Sequence, residues 1–173
     1  MKRANRVALC GVMISLALAL SYMERFIPLQ MVIPLPGIKL GLANVVTLVA
    51  LYLLGRKSAY TILIVRCLLG AMFGGGISGL LFSLMGGILA LTVMLLGTKI
   101  SCFSIFGVSI LGAAAHNVGQ IFAAMVLMKS IYIGAYLPYL LVVALFTGFA
   151  TGSAAAGVLR VLTKTPMGTG RLY

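Results

Sequence analysis

The chain has no aspartate and a single glutamate, Glu24, in 173 residues. It has no tryptophan, and only 8% of it is charged. Each scarcity excludes something. A soluble domain carries roughly 25% charged residues to keep its surface wet, so lipid must cover most of this protein. Without aspartate no acidic pair can hold Mg²⁺ on a diphosphate. There is no GxxxxGK[ST] run, which excludes a P-loop and intrinsic ATP hydrolysis. No Ser/His/Asp or Cys/His set can be assembled. A carboxylate proton relay would have no members beyond Glu24 and His116. The chain is therefore not expected to be an enzyme in its own right, and it implies no metal or cofactor.

What is present is apolar and basic. Hydrophobic residues make up 62%, and thirteen Lys and Arg bring the net charge to +12. A hydrocarbon core about 30 Å thick needs about 20 apolar residues per helix. The runs predict an all-α fold, a polytopic bundle of six transmembrane helices over about 7–23, 39–54, 58–73, 78–97, 101–128 and 136–162. These form one domain, 1–162, followed by a short polar tail, 163–173. The first run is longer than a signal h-region and lacks a small-x-small cleavage site before Glu24, so it reads as a retained helix. Cys10, Cys67 and Cys102 have no metal spacing and read as buried structural thiols.

Charge supplies an independent test. With both termini in the cytoplasm, nine basic residues (Lys2, Arg3, Arg6, Arg56, Lys57, Lys99, Arg160, Lys164, Arg171) lie inside and three (Arg25, Lys39, Lys129) outside, as the positive-inside rule requires. Tyr22, Tyr52, Tyr60, Tyr132 and Tyr136 fall near the expected interfaces.

Polar groups within spans are the candidates for function, because a bilayer penalises them unless they pair or face water. Arg66 lies about eight residues into the third span and stays charged at any physiological pH. Glu24 is expected at the outer membrane edge, beside Arg25 and Lys39. Arg66 must then lean on backbone groups or on an anion that is not protein; a ligand contact and a structural role both remain open. His116 and Gln120 lie one turn apart on the fifth span with Asn117 beside them, at or beyond mid-depth toward the outside. Asn44 and Thr47 fall in the outer half of the second span, with Lys39 at its outer end. These groups make either a ligand pocket or interhelical hydrogen bonds. The proline-rich loop at 24–38 and the Gly74–Gly76 turn could close such a pocket.

Small residues recur four apart at Ala4/Ala8, Gly11/Ser15/Ala19, Gly79/Ser83/Gly87, Ala115/Gly119/Ala123 and Ala144/Gly148/Gly152/Ala156. That spacing puts each set on one helix face, where backbones approach closely. Each ladder serves internal packing or faces a partner.

The run Pro36-Gly-Ile-Lys-Leu-Gly-Leu-Ala-Asn44, the Arg66 segment with Gly70, and His116-Asn-Val-Gly-Gln120 resemble a bacterial membrane family. It carries two names, the Gx transporter family and heptaprenyl diphosphate synthase component I. The resemblance spans about 6–160. The family is similar to the substrate-binding (S) components of energy-coupling-factor transporters, six-helix proteins that bind a vitamin-like compound and borrow an ATPase module. That resemblance implies a multi-pass protein of the bacterial cytoplasmic membrane whose substrate site is Lys39, Asn44, Arg66, His116, Asn117 and Gln120. It also implies that the first helix meets a transmembrane coupling subunit through Ala4 and Ala8, or through Gly11 and Ser15. The second name implies a non-catalytic partner of a prenyl diphosphate synthase. A small anionic or amphiphilic solute, such as a quinone or isoprenoid precursor, would suit cations beside apolar walls.

Overall fold

The structure, a computed structural model, describes residues 3–26, 39 and 41–163, without the side chains of Arg3, Arg25 and Thr163. The proline-rich part of the expected lid and nearly all of the tail lie outside the described residues. Among the described residues the chain forms six α-helices: α1 (Arg3–Met23), α2 (Asn44–Leu54), α3 (Arg56–Gly70), α4 (Gly76–Gly97), α5 (Ile105–Met128) and α6 (Leu137–Thr163). Short 3₁₀ turns follow α1 at Glu24–Phe26 and precede α6 at Ile131–Tyr136.

The expected spans and observed helices correspond in order, with two differences. α2 begins at Asn44, not near Lys39. Gly41 takes φ +84°, a left-handed conformation open to glycine at little cost, and this turn keeps Lys39 off the helix. Between α3 and α4 the helical path continues through Ala71–Gly75, where Phe73 and Gly74 leave helical geometry. Gly74 at φ +92° and Gly76 at φ +61° reverse the chain there.

Among the described residues four stretches are long and apolar enough to cross a membrane: Ala4–Met23, Arg56–Gly97, Ile105–Met128 and Ile131–Leu162. The second is 42 residues long and includes the break. α2 is apolar but shorter, at 11 residues.

Helix α5 is the centre of the bundle. Of its apolar window 56% is buried, against 11% for α1. Its small residues let it lie between α4 and α6. A Cβ built on Gly119 would stand 2.6 Å from the Met85 carbonyl oxygen, and one on Gly148 would stand 2.6 Å from Ile110 Cα. Hydroxyls add to the α5–α6 contact, with Ser109 and Thr151 2.8 Å apart. On the other flank α1 packs on α3 and α2. Arg6 donates from Nη2 to the Leu54 carbonyl at 2.6 Å and to Ser58 Oγ at 3.0 Å, which satisfies an orphan carbonyl at the end of α2.

These contacts bring the basic residues Arg6, Arg56, Lys57, Lys99 and Arg160 to one end. Arg6 touches the α2–α3 corner. Tyr60 meets Thr92 at 2.8 Å, joining the start of α3 to the later part of α4. Gly97 packs on Val108, and Gly152 on Phe106 and Ser109, so the end of α4, the start of α5 and the later part of α6 lie together. Cys67 is buried and Cys10 half-buried, but Cys102 is exposed. Cys102 lies in the turn between α4 and α5, beyond the packed helices, so the buried reading is corrected for that thiol.

Candidate functional site

A cavity of ≈ 420 Å³ lies between α1, α3, the break after α3, and α4. Leu18 and Tyr22 of α1, Cys67 of α3 and Phe73 of the break contribute apolar wall. Against it stand two cations, Arg66 and Lys39, and the hydroxyls of Ser15, Ser21 and Ser83.

Arg66 is 6% exposed. Its Nη1 donates to Ser21 Oγ at 3.0 Å, but its Nε has no hydrogen-bond partner among the described residues. A buried guanidinium normally has most of its five N–H donors satisfied. Lys39 reaches the cavity from the segment before α2, and its Nζ donates to Ser83 Oγ at 2.8 Å.

The backbone around Lys39 is held by side chains. Non-helical backbone among membrane helices persists only where protein satisfies its polar groups. Gln120 does so for Lys39. With its amide oriented to satisfy the network, Oε1 accepts the Lys39 N–H and Nε2 donates to the Lys39 carbonyl, each at 3.1 Å. The same Oε1 accepts from His116 Nε2 at 3.1 Å. The His116 ring lies in a slot made by glycine: a Cβ on Gly86 would come within 2.9 Å of it, and one on Gly41 within 3.2 Å.

Glu24 secures the next residues. Its Oε1 accepts from the backbone N–H of Gly41 and, at 3.3 Å, from that of Leu42. Glu24 is only 4% exposed. Glu24 directly follows the first apolar helix, and the 3₁₀ turn after α1 carries its side chain into the protein. Burial raises its carboxyl above the ordinary carboxylate range, against the pull of the two N–H donors and of the Lys39 and Arg66 charges.

Of the residues anticipated from sequence, Arg66 and Lys39 line the cavity. Gln120 and His116 form a layer behind it that grips the Lys39 main chain. Asn44 is buried beside Gly41, its Nδ2 2.7 Å from where a Gly41 Cβ would be. Asn117 points the other way, donating from Nδ2 to the Leu140 carbonyl of α6 at 2.7 Å. On α1, Ala4, Ala8 and Gly11 are exposed, while Ser15 lies on the cavity wall. Glu24, Ser21 and Ser83 were not anticipated. Ser83 stood in the Gly79/Ser83/Gly87 ladder, where it counted as a small residue; its hydroxyl was the missed signal.

No curated protein and no solved structure matches the chain. The family model described as heptaprenyl diphosphate synthase component I matches residues 13–158. The chain that carries this lysine- and arginine-lined cavity belongs to that family.

Proposed function

We propose that the protein is an integral membrane subunit that binds a small amphiphilic anion in the Arg66–Lys39 cavity and serves its uptake, energised by a separate ATPase module. The observation that carries the reading is the Arg66 Nε, buried beside apolar walls and without a hydrogen-bond partner among the described residues. A lipid-like anion would satisfy it while covering those walls. The absence of a P-loop assigns energy supply to another chain, and the resemblance to energy-coupling-factor S components agrees.

The topology proposed is six spans with both termini in the cytoplasm of a bacterial cell, in its cytoplasmic membrane. At about 1.5 Å per residue, a 42-residue stretch is about twice the length of a hydrocarbon core, and the break at Phe73–Gly74 divides it into two crossings. α2 is about half a membrane long by the same measure, and Lys39, on the cavity wall, with residues 41–43 extends its span. The basic end of the bundle then faces the cytoplasm.

The family description favours a second reading: a non-catalytic membrane subunit of a prenyl diphosphate synthase, holding an isoprenoid precursor in the same cavity. Native mass spectrometry of gently extracted protein separates the two. Uptake predicts a retained small anion and co-extraction of an ATPase-bearing complex. The synthase reading predicts a soluble prenyl synthase partner whose rate or product length changes when this subunit is added. If protein extracted with its partners holds no anion, and added anions do not bind, the cavity reading fails under both.

A further inference from the structure

The charges of the described residues around the cavity can be counted. Lys39 and Arg66 lie on its wall, and Glu24 accepts the Gly41 and Leu42 N–H groups just after Lys39 in the chain. No charged residue occurs between Phe26 and Lys39 in the chain, so the segment outside the description there adds none. The other lining groups that titrate, Tyr22 and Cys67, carry no charge in their ordinary protonated forms. Arg25, whose side chain lies outside the description, precedes that segment. With Glu24 ionised, the described cluster therefore holds two positive charges and one negative.

Resting on the anion-binding reading above, we propose that Glu24 is a specificity-determining residue that matches the site to a headgroup carrying one negative charge. A net charge left over in a low-dielectric site is expensive. A monoanion brings the cluster to neutrality. A dianion leaves one surplus negative charge in the cluster to which Glu24 belongs. The carboxylate cannot swing away freely, because it accepts the Gly41 and Leu42 N–H groups that hold the turn before α2. Glutamine in its place keeps an acceptor oxygen for those donors while raising the cluster to two positive charges.

The probes are three octyl phosphates with one tail and one phosphorus centre. Octyl phosphate is a dianion at about pH 8.5, well above a phosphate-ester second pKa of roughly 6; octyl methyl phosphate is a monoanion; octyl dimethyl phosphate is neutral. Octanoate adds a carboxylate monoanion. Binding is measured by calorimetry on the full chain in phosphatidylcholine nanodiscs, with empty nanodiscs subtracted. The wild-type protein is expected to bind octyl methyl phosphate about tenfold or more tighter than octyl phosphate, given the size of one partly buried like-charge contact. Glu24→Gln should remove or invert that preference. An unchanged ratio in Glu24→Gln, or a wild-type preference for the dianion, overturns the charge match and leaves anion binding standing. If the neutral ester binds as well as the monoanion, or no probe binds either protein, the anion-binding reading itself fails. Should Glu24→Gln not fold, the wild-type order of the three esters decides the question alone. Octanoate binding like octyl methyl phosphate points to carboxylate ligands; binding of octyl methyl phosphate without octanoate points to phosphate diesters and capped phosphates. Both results keep the single charge.

Discussion

Arg66 poses a question that its free energy can answer. A buried charge without a full set of partners is expensive, so exchanging it for an apolar side chain of similar length removes an unfavourable contribution. Breaking a satisfied network has the opposite sign. Arg66 makes one side-chain hydrogen bond, to Ser21, and leaves Nε without a partner among the described residues. Arg66→Met is therefore expected to leave the thermal midpoint of ligand-free protein unchanged or higher, and to abolish stabilisation by an anionic amphiphile. Thermal unfolding in one detergent, with and without octyl methyl phosphate, measures both. A clear fall in the ligand-free midpoint would make Arg66 a structural residue. Gln120 differs from Arg66 here, because its amide is fully engaged with Lys39 and His116.

At the scale of helices, the α4–α5 contact frames the site. Gly119 approaches backbone, with Met85 O at 2.6 Å and Gly86 Cα at 2.8 Å from an added Cβ, and backbone cannot move aside locally. Gly119→Ala should destabilise the protein by about 1–3 kcal/mol, the usual range for overpacking, and should shift the His116–Gln120 layer that holds Lys39. Gly87→Ala meets the tip of a Leu63 side chain and should cost less. Gly11 has nothing within 4 Å of an added Cβ, so Gly11→Ala should be silent in thermal unfolding of the isolated chain. A Gly119→Ala protein as stable as wild type would show that the helices separate easily. The same comparison bears on the small-residue ladders. Their spacing was readable as helix faces built for close approach, but a glycine in a seam and one on an open face look alike in sequence. The packing of α4, α5 and α6 distinguishes them.

For the whole molecule, the basic end is the testable feature. Cys102 lies there in the exposed turn after α4, close in sequence to Lys99, while Cys67 is buried. In right-side-out vesicles a membrane-impermeant maleimide should leave Cys102 unlabelled; in inside-out vesicles it should label it, with Cys102→Ser as the control. Labelling from the outside would reverse the proposed orientation and place the cavity toward the cytoplasm. The helix order was legible because apolar runs separated by glycine, proline and basic residues can be little else in a lipid-covered chain. The shortness of α2 was not, since the Lys39–Ala43 run is as apolar as a helix end.

Composition alone determined that this protein is helical, apolar and poor in the groups that perform catalysis, because so few charges cannot keep a surface wet and a single carboxylate cannot build an acidic metal site. It also marked Lys39, Arg66, His116 and Gln120, since polar side chains within apolar runs need partners wherever they lie. Only the tertiary structure decided which partners those are. Asn117 and Gln120 are three residues apart, yet one bonds α6 and the other the Lys39 backbone, because helix geometry aims them at different neighbours. Glu24 follows an exposed stretch of α1, and nothing local to it signals burial. Its direction depends on the Gly41 turn, seventeen residues away, whose two N–H groups need an acceptor among packed helices and find the one carboxylate in the chain.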